Sequence, residues 1–153
     1  LDEFFKGPYK TFDPYEAANS GLMRMFEDAR QYMGSNHTIA VSNSSQKATE
    51  NKFYALQAAH LVGGIFAAYE SDKAKPTLYL AKKAFDLLRE EELLNENSPL
   101  FVVGDQEYDV QFGHNIKSIH PNTASVLIDR EGTYDAQTKP DFAIKSFDEI
   151  YRL

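Results

Sequence analysis

The sequence contains no cysteine and no tryptophan. The first absence excludes disulfides, thiolate metal sites and cysteine nucleophiles. The second leaves the large core side chains to eleven Phe and nine Tyr. No apolar run is long enough to span a bilayer. The longest nearly apolar stretch, 53–69, has 17 residues and includes Gln57 and His60, so it reads as a buried helix. No membrane partner is expected, and a soluble protein, cytoplasmic or virion-associated, is. The chain opens Leu1-Asp2-Glu3-Phe4 without an initiator Met. That start marks a processed product or a piece of a longer chain, and it is compatible with an assembly protein of a phage or virus. Gly63-Gly64 lacks a following Lys-Ser/Thr, so no phosphate-binding glycine loop is present. No cofactor is expected.

Charge is present and unevenly spread. The 24-residue stretch 86–109 holds Asp86, Glu90, Glu91, Glu92, Glu96, Asp105, Glu107 and Asp109 against the single base Arg89. It therefore carries the whole of the chain's net charge of −7. A charge this concentrated can steer a basic partner or hold a cation.

Local patterns predict three helices in the first 97 residues. Asp13, Pro14 and Glu16 give a helix start. Ala18, Leu22, Met25, Phe26, Ala29, Tyr32 and Met33 form one stripe, and Gly34 ends it. Thr38 to Val41 reads as a short strand. A second helix is expected over 46–71, buried from Phe53 onward, with Gly63-Gly64 marking close backbone approach. Its small residues could also pack against a second copy in a homo-oligomer. A third helix should run from Pro76 to about Leu94, ending in Glu90, Glu91 and Glu92, where carboxylates oppose the helix dipole.

The pattern changes at Ser98-Pro99. Strands are expected over 100–103, 108–112, 116–119, 123–129 and 142–146, with turns at Gly104-Asp105, Gly113-His114-Asn115 and Pro121-Asn122 and a polar loop over 130–140. These elements predict an α+β fold in one compact unit. Three N-terminal helices pack on a C-terminal antiparallel β meander or small barrel. Residues 1–97 form the helical region, with an aromatic arm holding Phe4, Phe5, Tyr9 and Phe12, and 98–153 form the β-rich region. Residues 99–153 resemble an SH3-like small barrel through Val102-Val103-Gly104-Asp105, the Gly113 turn, Ile116-Lys117-Ser118-Ile119 and Val126-Leu127-Ile128. The resemblance implies loops whose exposed aromatics and acids bind peptide or nucleic acid. No binding motif of that family matches residue by residue, so none is carried over.

Candidate chemistry is sparse. His114 and His120 flank the expected third strand, with Asp105 and Asp109 upstream, and together they are weak candidates for a Zn²⁺ site. Their spacing matches no recognised ligand pattern. His60 reads as a core histidine. Ser42, Ser44, Ser45, Ser118 and Ser125 lie in no nucleophile motif. Lys73, Lys75, Lys82 and Lys83 form one basic group, but the acidic balance disfavours nucleic acid as a partner. The leading expectation is a non-enzymatic interaction or assembly domain. Its contact surface would be the eight acids together with Phe4 and Phe5, and its partner a protein with a basic surface. The alternatives are an acidic inhibitor or immunity-type protein, and a metal-dependent hydrolase using His114 and His120.

Overall fold

A computed structural model describes residues 21–135 and 137–153. The expected helix start at Asp13-Pro14 and the arm with Phe4 and Phe5 lie outside the described residues. Helix α1 spans Leu22–Met33 and stops at Gly34, whose φ of 89° suits glycine. Strand β1, Ile39–Ser42, takes in most of the expected Thr38–Val41 strand. Helix α2, Gln46–Ala55, starts at Ser45, whose Oγ accepts a hydrogen bond from the Ala48 amide at 3.2 Å.

The expected long helix over 46–71 is not formed. Gln57 turns into the left-handed region with φ 54°, and the chain continues as strand β2, Gly64–Ala67. An apolar run reads alike as a buried helix or a buried parallel strand, and here pairing with β1 decides for the strand. The close approach expected at Gly63 is real. A Cβ there would lie 2.5 Å from the Asn36 Cα.

Helix α3, Tyr79–Glu90, buries Leu80, Ala81, Ala84, Phe85 and Leu88 on one face. Strand β3 follows at Leu100–Gly104, helix α4 at Glu107–Lys117, strand β4 at Thr123–Ile128 and strand β5 at Phe142–Ile144. A 3-10 turn, Phe147–Arg152, ends the chain. The expected strands over 108–112 and 116–119 are both parts of α4. Its buried residues, Asp109, Val110, Phe112, Gly113 and Ile116, follow helical spacing. Asp109 is buried, so counting it as an outward residue creates a false alternation.

Every strand pair among the described residues is parallel. β1 pairs with β2, and β3-β4-β5 form a second sheet in that order. Helix α2 connects β1 to β2 and α4 connects β3 to β4, as parallel pairing requires. One core joins the two sheets: Ala68, Leu80, Ala81, Phe85, Phe112 and Ile116 pack with Val41 and Phe66 from one and Leu100 and Val102 from the other. The architecture is therefore α/β, not α+β. It has no antiparallel meander and no SH3-like barrel among the described residues, because one helix, α4, lies where two strands and the Gly113-His114-Asn115 turn were expected. No helix of the described residues is long and apolar enough to cross a membrane.

Candidate active site

In an open parallel sheet, ligands bind outside the carboxyl ends of the strands, where the winding direction reverses. Here the strand orders are β1-β2 and β3-β4-β5, and Lys75 Nζ reaches both Val41 of β1 and Asp109 just beyond β3, so β1 and β3 are the facing strands and the chain moves outward from each. The reversal lies between β1 and β3. Their carboxyl ends carry Ser42-Asn43-Ser44-Ser45 and Asp105-Gln106, each leading into a helix.

Lys75 connects these ends. The Asn43 side chain clamps its backbone: Oδ1 accepts from the Lys75 amide at 2.6 Å, and Nδ2 donates to the Lys75 carbonyl at 3.0 Å. The next peptide, Lys75–Pro76, is cis, and Asn115 of α4 donates to the Pro76 carbonyl at 2.8 Å. The Ser42 carbonyl is taken by the Ala68 amide after β2. Alternate carbonyls of a strand point to opposite edges, so Val41 presents its oxygen at the other edge of β1. There the Lys75 Nζ meets it at 3.2 Å.

The same Nζ forms an ion pair with Asp109 Oδ1 at 2.5 Å, and the two side chains are only 11% and 8% exposed. Asp109 Oδ2 accepts from the amides of Asp105 and Gln106 at 3.2 and 3.1 Å, closing the turn into α4. Gly104 has no side chain because Asp109 lies against its Cα. The Tyr108 ring faces the Lys75 ammonium 5.3 Å from its centroid, and burial, then the charges of Asp109 and Asp105, raise its phenol above the ordinary range. Beside the pair, Ser42, Asn43, Ser44, Ser45, Lys52, Tyr69 and Tyr108 line an opening of about 610 Å³.

The fold thus brings a fixed cation and two carboxylates beside an opening lined by serine hydroxyls at a helix start. Such a set can hold an oxyanion and a hard divalent ion side by side.

The structure disperses the residues expected from sequence. Asp105, Glu107 and Asp109 lie at the carboxyl end of β3. Asp86, Glu90, Glu91, Glu92 and Glu96 are exposed and lie on α3 or in the loop that leads from it to the amino end of β3. The acidic stretch is therefore not one surface. The His114/His120 pairing is also corrected. His114 is exposed on α4, whereas His120 is buried, with Nε2 2.7 Å from the Ser98 carbonyl and its ring edge-on to Phe85. Among the described residues no three His, Asp or Glu side chains converge on a metal position. Lys75 and Asn43 were missed because nothing local distinguishes them. Asp109 gave a usable signal, an acid at the third position of a helix that directly follows a strand.

No family model and no curated protein matches the chain in sequence. Solved structures match it in fold. YfnB of Bacillus subtilis, classed as a HAD-hydrolase and bound to magnesium, is 15% identical with a TM-score of 0.63, over 86% of this chain and 54% of its own. A predicted phosphoglycolate phosphatase from Haemophilus somnus is 22% identical with a TM-score of 0.63, over 86% and 55%. A dehalogenase with an intermediate complex is 15% identical with a TM-score of 0.62, over 86% and 54%. The chain thus spans about half the length of these structures. Their α/β fold overturns the expected SH3-like barrel and, with it, the expectation of a non-enzymatic assembly domain.

Proposed function

We propose that the crevice between β1 and β3 is part of the active site of a HAD-type hydrolase that acts on a phosphate monoester with the help of Mg²⁺. The observation that carries this reading is the buried Lys75–Asp109 pair at the carboxyl ends of the two strands. A buried ammonium is costly unless it is paired and hydrogen-bonded, as Lys75 is. Here it is held by three elements at the place where ligands bind in such sheets.

In this reading Lys75 and the hydroxyls of Ser42 and Ser44 draw on the phosphoryl oxygens, and Asn43 keeps Lys75 in place. The carboxylates fit a magnesium ion. Mg²⁺ is commonly held by one or two carboxylates together with substrate phosphate and water, so Asp105 and Asp109 suffice without a third acid. Asp105 is the exposed member, and Asp109 is shared with Lys75. When bound, the ion would neutralise charge developing on the transferred group. A halide-releasing reaction, as in the dehalogenase neighbour, would leave the Asp105 carboxylate without a role.

Among the described residues β1 pairs only with β2, and β3 only with β4. At the edges turned toward each other no described strand pairs with either, and such edges are normally covered. We propose that a parallel strand from outside the described residues lies between them. Its carboxyl end would arrive beside Lys75 and Asp105 and complete the site.

Titration of inorganic phosphate, with and without Mg²⁺, tests the reading. Phosphate binding should require Mg²⁺, disappear in Asp105→Asn and weaken about tenfold or more in Lys75→Met. Binding indifferent to both substitutions sinks it.

A further inference from the structure

Between Asp105 and Asp109 stands a third acid with a different set of partners. Glu107 is in the first turn of α4, and its carboxylate accepts three hydrogen bonds. Tyr134 Oη donates to Oε2 at 2.6 Å, and the Thr138 amide and Gln111 Nε2 each donate to Oε1 at 3.0 Å. Tyr134 and Thr138 belong to the link between β4 and β5. Tyr134 is itself anchored, because its amide and that of Thr133 donate to the Asp129 carboxylate at 3.2 and 3.1 Å. The far end of the link is fixed too: Asp141 accepts from the Ser125 amide at 2.9 Å and from Lys117 Nζ at 2.9 Å.

This is more than a helix-dipole contact, since Glu107 ties the turn to a link 27 and 31 residues further along the chain. Hydrogen bonds from Thr138 and Tyr134 hold its carboxyl below the ordinary range. Burial and the Glu107 carboxylate push the Tyr134 phenol well above its own.

We infer that Glu107 and Tyr134 are positioning residues for the turn that presents Asp105 and Asp109 to the crevice. The inference rests on the hydrolase reading for its purpose and on the hydrogen bonds for its mechanism. Asp109 closes the turn from inside through the amides of Asp105 and Gln106, and Glu107 fixes it from outside. Groups hydrogen-bonded directly to metal ligands typically change metal affinity about 10–100-fold when removed, and Glu107 acts one step further out, through the turn, so the lower end is expected.

Two measurements on the full chain, wild type and Tyr134→Phe, separate purpose from mechanism. The first is amide hydrogen exchange at Asp105 and Gln106, read by NMR without metal. The variant should exchange about tenfold faster at these two amides, with the amides of β4 unchanged. Unchanged exchange at 105 and 106 overturns the inference, as does a uniform increase across the molecule, which would mean general destabilisation. The second is Mg²⁺ titration by calorimetry, where the variant should bind about tenfold more weakly. Equal Mg²⁺ affinity alongside faster local exchange also overturns it, because the turn would then move without consequence for the acids. If the wild type takes up no Mg²⁺ while local exchange does change, the metal reading falls and the tie from Tyr134 to the turn stands. Glu107→Gln, which keeps one acceptor oxygen, should fall between wild type and Glu107→Ala in both measurements.

Discussion

The two ends of β3 carry similar numbers of acids and treat them in opposite ways. At the amino end, Glu90, Glu91, Glu92 and Glu96 are exposed, and the side-chain hydrogen bond from Asn36 Nδ2 to Glu91 is long at 3.3 Å. At the carboxyl end, Asp109 is buried against Lys75, and Glu107 accepts three hydrogen bonds. Charge density along the sequence is the same feature in both places. Burial and partners separate them: an exposed acid costs the fold little, and a buried acid must be paired to exist there. Function is therefore sought at the end where the fold has invested in keeping charge.

The comparison breaks most sharply at Lys75. Lys75→Met removes the partner of a carboxylate that is 8% exposed. Losing one member of a buried pair costs about 3–5 kcal/mol. The two amides that donate to Oδ2 remain, so the lower part of that range is expected. Urea unfolding at neutral pH measures it. A loss below about 1 kcal/mol would place the pair with the surface charges at the opposite end of the strand.

Gly104 gives the next largest effect. A Cβ there would collide with the Asp109 side chain, and Asp109 cannot move without releasing Lys75 and the turn. Gly104→Ala should cost about 1–3 kcal/mol and, unlike most core overpacking, should also weaken phosphate binding. Gly63→Ala, which meets the Asn36 backbone, should destabilise by a similar amount and leave phosphate binding unchanged. Equal effects of the two on binding would contradict the local role of Gly104.

These residues also show how far the sequence can be read. Val126-Leu127-Ile128 and Thr38–Val41 announce strands because their β-branched runs are bounded by turn residues. Gly63 does mark a close approach, although it precedes a strand, where the helical cost of glycine does not apply. Three features could not be read. Tyr108, Val110 and Phe112 alternate like a strand only if Asp109 is counted as exposed, and its burial depends on a lysine 34 residues earlier. The 53–69 stretch is apolar whichever element it forms. Lys75 sits among Lys73, Lys82 and Lys83 with nothing to mark it, and its role comes from the proximity of β1 and β3, which no local pattern encodes. Parallel sheets are built from such distant pairings, which is why local reading mistook this one for a meander.

Asp141 lies between the two extremes, with its side chain 29% exposed. The hydrogen bond from the Ser125 amide, and then the contact with Lys117, lower its carboxyl below the ordinary value. A depressed folded-state value means stability that is present above the unfolded-state value and lost as pH falls through the folded one. Asp141→Asn should therefore be less stable than wild type near neutrality, by about 1 kcal/mol for charge-assisted bonds at a partly exposed site. The gap should stay constant down to about pH 4 and close below it. A gap independent of pH would assign the effect to shape, not charge.

The smallest effect belongs to the amino end of β3. Glu90 closes α3, and Glu91 and Glu92 follow directly. Carboxylates at a helix carboxyl end oppose its dipole, whereas lysines there would complement it. Among the described residues no buried partner lies against them, so their contribution is limited by solvent and salt. Reversing all three to Lys should change stability by no more than about 0.5 kcal/mol, in the stabilising direction at low ionic strength. The change should vanish at about 1 M salt, where the screening length falls to about 3 Å. Glu92 adopts a φ of 58°, a strain that Glu and Lys share, so it cancels in the comparison. The Lys75→Met loss, arising from a pair that solvent barely reaches, should survive the same salt. Thermal melts of both variants with and without salt therefore measure the contrast directly. A triple reversal that costs stability, or one whose effect resists salt, would mean that the acids at this end are held as firmly as Asp109.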